Sequence, residues 1–164
     1  MEPVVGFETA PAWLCWLLPM VGGLLAPVLA KVHPRVRDYG AVLFSLLSAL
    51  MTATMIPLLF KPDELPKWEE LPWIELGGVP YLQKIEVGVL VDPLSIILAN
   101  VVAIISFLIM VYSLGYMKGD PSLTRYWFFM NFFIGNMLLL VMSENLLLTL
   151  FGWEGVGLCL SLIH

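Results

Sequence analysis

"RYWFFMNFFIGNMLLLVMSENLLLTLFGWEGVGLC", residues 125–159, decides the fold. From Tyr126 to Ser143 there is no charged side chain, and the chain is apolar again from Asn145 onward, with Glu154 as its one acid. Only Ser143, Glu144 and Asn145 separate the two runs. Backbone polar groups in lipid must be satisfied within the segment, so both runs are helices. So short a link makes them an antiparallel helical hairpin. Ser143 or Asn145 can cap the second helix, and Glu144 complements its positive N-terminal end.

Working outward, three more uncharged runs appear: Ala12 to Ala30, Tyr39 to Phe60 and Pro93 to Met117. Each meets or approaches the roughly 20 residues that cross a hydrocarbon core of about 30 Å. Of the 164 residues, 60% are hydrophobic and 13% charged, an apolar excess that excludes an ordinary soluble domain. The fold class is an all-α integral membrane protein with about five transmembrane helices. Pro19 and Pro27 should kink the first helix, and Pro57 should distort the end of the second. The N-terminal tail carries acids and no Lys or Arg, so the first run reads as a retained span rather than a secretory signal.

Three regions result: 1–60 with two helices, 61–91 as a loop, and 92–164 with three helices. The net charge is -5, and six of the thirteen acids lie between Pro62 and Val91. No basic patch points to nucleic acid, so the lipid bilayer is the expected surroundings. Lys31, Arg35 and Arg37 crowd the first loop, and Lys118 and Arg125 flank the third. The positive-inside rule then puts those loops in the cytoplasm and the N-terminus outside, in a multi-pass protein of the cell membrane. Within the long loop, Gly77-Gly78 signals a turn, and "KIEVGVLV" (84–91) is rich in β-branched residues. A short extracytoplasmic β-hairpin is expected before the third helix, with Trp68 and Trp73 as interfacial anchors. Asp92 and Pro93 are a structural cap, since Asp suits the N-cap and Pro the first helical position.

Glu154 is the chemically informative residue. It lies ten residues past Glu144, about 15 Å along a helix, near the bilayer midplane. An ionised carboxylate there costs at least about 2.5–3.5 kcal/mol, so it must face protein or water. Burial disfavours its charged form and a nearby lysine would favour it, opposed effects that suit a proton-relay acid. Gly152, Gly155 and Gly157 flank it and admit close approach of another helix. Asn136, on the preceding helix, lies at a similar depth and could hydrogen-bond Glu154. Glu144, in the exposed turn, has no expected functional role. Cys15 and Cys159 read as small buried side chains, and no His/Cys cluster has metal-ligand spacing.

"VDPLSIIL" (91–98), "VYSLGYM" (111–117) and the stretch quoted first together resemble the N-terminal part of chain 5 (subunit L) of NADH-quinone oxidoreductase, respiratory complex I. The pattern is also similar to the large membrane subunit of Mrp-type antiporters and to subunits of F420-dependent dehydrogenases. It is close from about Val87 to Cys159; upstream only the layout agrees. The resemblance implies an antiporter-like, proton-translocating subunit in which Glu154 matches the glutamate of the family's "GWE" and pairs with a lysine on a later helix. The tail "GLCLSLIH" (157–164) departs from the family's usual "GLCSYLLIG", and the family's later helices do not follow His164. The expectation is a truncated N-terminal portion, inactive alone, that needs other membrane subunits, including a polypeptide with the missing helices. With no Fe–S cysteine cluster and no dinucleotide fingerprint, no cofactor is expected on this chain. The alternatives are a fragment of the large subunit of an Mrp-type Na+/H+ antiporter and a non-transporting membrane scaffold.

Overall fold

The computed structural model describes residues 9–75 and 84–163. Helix α1 runs Ala10–Val32, α2 Pro34–Thr54, α3 Pro93–Tyr116, α4 Leu123–Met142 and α5 Leu146–Ile163. Strands β1 (Lys67–Glu75) and β2 (Lys84–Val91) lie between α2 and α3. Among the described residues four helices, α2 being counted with the turn after it, are long and apolar enough to cross a membrane, whereas α5 is shorter, at 18 residues. Large side chains such as Leu24, Leu43, Ile105 and Leu108 are exposed on the bundle surface, while Ser45, Ser48, Thr52, Asn100 and Asn131 are buried inside it. That is the pattern of a body whose solvent is hydrocarbon: association there relies on small and polar contacts rather than on hiding apolar surface.

Helix α1 packs against α2 and α4, and α5 packs against α4. α1 continues through both Pro19 and Pro27. Pro19 has no N–H to give the carbonyl of Cys15, four residues back. The Ser48 hydroxyl of α2 donates to that carbonyl at 2.5 Å and satisfies it. Pro57 does end α2: the helix stops at Thr54 and a tighter turn covers Ile56–Phe60. The Asn100 side chain of α3 donates to the carbonyl of Thr52 (3.0 Å) and so joins α3 to that frayed end.

The hairpin forms with β1 antiparallel to β2, from Lys67 opposite Val91 to Glu75 opposite Lys84, with an irregularity between Pro72 and Ile74. β2 covers the residues expected, and β1, its partner, covers Lys67–Glu75. The proposed Gly77-Gly78 turn lies outside the described residues, as does the side chain of Trp73; Trp68 is exposed. Asp92 accepts the N–H of Ser95 at 2.6 Å, and the Ser95 hydroxyl accepts the N–H of Asp92 at 2.9 Å. This reciprocal box, with Pro93 in the first turn, starts α3.

The bundle has two chemically distinct ends. At one, Arg37 donates to Thr124 (2.8 Å) and pairs with Asp38 (2.7 Å), and the indole of Trp127 donates to the same carboxylate (2.7 Å). This network ties the α1–α2 connection to the start of α4, so the two basic loops share an end. At the other, the hairpin meets the start of α1: Thr9 and the indole of Trp13 (3.1 Å) both donate to Glu69.

Candidate functional site: the mid-helix acid of α5

Asn145 caps α5, its side-chain oxygen accepting the N–H of Leu148 at 2.8 Å. Ser143, the other candidate cap, instead shares a 2.6 Å hydrogen bond with the Thr149 hydroxyl. From this start α5 lays Leu148, Gly152, Gly155 and Cys159 along one side, at helical spacing. This is the side toward α4. A Cβ on Gly152 would come within 2.9 Å of the Leu140 backbone nitrogen and 3.1 Å of the Asn136 carbonyl oxygen. A Cβ on Gly155 would collide with the Asn136 side chain. Only glycine permits this approach of the two helices. Gly157 has nothing within 4 Å of where its Cβ would be and takes no part in it.

Asn136 therefore lies level with Gly155, next to Glu154 in depth as the residue count indicated. It makes no hydrogen bond to Glu154. Its side-chain nitrogen donates to the carbonyl of Phe132, one turn back on α4, at 2.8 Å. Glu154 is one residue, about 100° of helix rotation, round from the glycine face. It is exposed, beside exposed Trp153, with Leu150 and Leu158 also exposed on the helix. Among the described residues Glu154 has no hydrogen-bond or ion-pair partner. The geometry thus presents a carboxyl half-way along an apolar helix, on the side that α4 does not cover.

A second acid has a more distinctive setting than its sequence suggested. Glu144, in the α4–α5 turn, lies over Gly88 of β2, where any Cβ would meet the Glu144 carboxylate. Its Oε2 is buried and unpaired among the described residues. Burial, then a hydrogen-bonding approach and the charge of Glu70, then the charge of Glu86, push the Glu144 carboxyl up to about 7. The residues concerned are far apart in the chain, and only the pairing of β1 with β2 brings them together. The one available signal was the acid-rich loop itself.

Residues 73–127 match the family model described as NADH-ubiquinone oxidoreductase (complex I), chain 5 N-terminus. The chain matches the N-terminal part of complex I chain 5. NADH-quinone oxidoreductase subunit L of Rickettsia typhi is 32% identical over 148 residues, 90% of this chain and 22% of that protein. The subunit L of Mycobacterium tuberculosis is 38% identical over 91 residues, 56% of this chain and 14% of its own length. Chain 5 of NADH-ubiquinone oxidoreductase from Dictyostelium discoideum is 29% identical over 143 residues, 87% of this chain and 21% of that one. This chain thus spans about a fifth or less of each of these relatives. In fold it is similar to a chain of the membrane-bound sulfane sulfur reductase, an archaeal respiratory membrane complex, with a TM-score of 0.71 at 16% identity, over 90% of this chain and 28% of the other. The protein is a multi-pass membrane protein that is similar to complex I chain 5 over most of its length.

Proposed function

We propose that this chain contributes Glu154 as an acid of an intramembrane proton path in a multi-subunit, proton-translocating oxidoreductase of the NADH-, F420H2- or ferredoxin-linked type. The observation that carries the reading is the place of Glu154: mid-helix on α5, with the glycine face of the same helix already spent on α4. A carboxyl at that depth is costly against lipid alone. It calls for a neighbour that supplies either a positive charge or a file of water on the open side of α5. On this reading further membrane helices, bearing a lysine, cover that side, and the proton moves between the lysine and Glu154. Asn136 stands behind the acid as a neighbour in depth, holding the α4–α5 contact rather than the proton. The chain itself carries no electron carrier; redox chemistry belongs to its partners. The cell membrane is the location, with the basic end of the bundle inside and the N-terminus and hairpin outside, in keeping with the two basic loops sharing one end.

The test is Glu154→Gln in the chain assembled with its partner subunits. The amide keeps the shape and removes the titratable group. Assembly on a native gel should be normal, because an uncharged group is cheaper to bury. Proton translocation in membrane vesicles should fall by about tenfold or more, within the range of losing a proton-transfer group. Normal translocation would reject the role, and failed assembly would assign Glu154 to the structure instead.

A further inference from the structure

The hairpin is seated on the α4–α5 turn by backbone contacts that leave three carboxyl groups together. Val89 bridges Ser143 in antiparallel fashion, and the N–H of Glu144 donates to the carbonyl of Gly88 (3.3 Å). The Asn145 side chain donates to the carbonyl of Glu86 (2.9 Å). Glu86 and Gly88 share a face of β2, and Glu70, opposite Gly88, shares it from β1. Onto that face the turn lowers Glu144, into the space left by the missing side chain of Gly88. Its buried Oε2 has no hydrogen-bond partner among the described residues, and Glu70, opposite Gly88 on the paired strand, is the neighbouring carboxyl. Ionised carboxylates are acceptors only, so this pair can bond only when one of them holds a proton.

We propose that the seat of the hairpin on the α4–α5 turn is held closed by one proton shared between Glu144 and Glu70, and that it loosens when that proton is lost. The groups that face Glu144 are Glu70 from β1 and Glu86 from β2. Glu69 is on the other face of β1, engaged with Thr9 and Trp13. Asp92 is engaged with Ser95 at the start of α3. On the two helices that flank the turn, Arg125 is at the far end of α4 and Glu154 about 15 Å along α5. Loss of the proton therefore puts the like charges of Glu144 and Glu70 side by side, with the buried Glu144 oxygen left without a donor among the described residues. The device is separate from the proposed proton path and does not depend on it.

The sign follows from linkage. The closed seat raises the Glu144 carboxyl from its ordinary 4.5 to about 7. The stabilisation is fully present below about 4.5, is lost progressively as pH rises toward about 7, and is gone above it. Hydrogen exchange of the full chain in lipid nanodiscs reads this out as protection of the Gly88–Val91 and Glu144 amides, corrected for intrinsic rates. Protection should fall about tenfold or more between about pH 5 and about pH 8, then level off. Glu144→Gln, uncharged at every pH and able to donate, should hold protection within about twofold over the range. Glu70→Gln should move the midpoint down by about half a pH unit or more. A flat profile in the unmodified chain, or an undiminished fall in Glu144→Gln, overturns the proposal. Should Glu144→Gln fail to insert, an unmoved midpoint in Glu70→Gln overturns it equally.

Discussion

Two neighbouring positions on α5 have opposite tasks. Gly155 is where the backbone of α5 meets the side chain of Asn136, and Glu154 is where the helix carries its one acid. Enlarging the first drives a side chain into the Asn136 amide, which must leave its hydrogen bond to the Phe132 carbonyl or push α5 away from α4. Gly155→Leu should destabilise the chain by about 1–3 kcal/mol, the usual cost of overpacking. Gly157→Leu, two residues on, meets nothing within 4 Å and should cost far less. Thermal unfolding of both variants in detergent checks the contrast; equal losses would mean that α5 is seated on a different face. The depth of Asn136 relative to Glu154 was legible by counting residues from the turn. Their contact was not, because depth fixes a level and leaves rotation free. The glycines settle the rotation, and the sequence alone showed three of them without saying which two face α4. Glu144 was illegible for another reason: its neighbours are Glu70 and Glu86, about sixty to seventy residues away.

At the scale of elements, the signals that reached the structure intact were those carried by local chemistry. Asp92-Pro93 marks the start of α3 because the cap involves only residues 92–95. Pro57 marks the end of α2 because the missing N–H acts within one turn. "KIEVGVLV" is β2 to the residue. β1 was partly hidden because Glu69 faces inward, toward Thr9 and Trp13, where alternation leads one to expect an apolar side chain. The continuation of α1 through Pro19 also needs a tertiary contact, the Ser48 hydroxyl that takes over the vacant carbonyl. Asp92→Ala removes one half of the box at α3 and leaves Ser95 N–H without its acceptor. It should lower stability by about 1 kcal/mol, the common cost of losing a cap, while Asp92→Asn should cost much less. Denaturation midpoints of the two variants decide it, and an equal loss in both would assign Asp92 a role through its charge.

For the whole molecule, the arrangement is a bundle with an apolar exterior, buried hydroxyl and amide groups, an arginine–aspartate network at one end and a carboxylate-rich hairpin at the other. Glu154 stands half-way along the apolar α5, on its open side, with no hydrogen-bond or ion-pair partner among the described residues. The match to complex I chain 5 and the position of this acid are independent observations, one of sequence and one of geometry, and the proposed proton transfer rests on both. The most direct measurement is infrared difference spectroscopy of the assembled complex during turnover, comparing the unmodified chain with Glu154→Gln. The account predicts a carboxyl carbonyl band that appears and disappears with turnover and is absent from the variant. A band unchanged in the variant, or no carboxyl band at all in the unmodified complex, would contradict it.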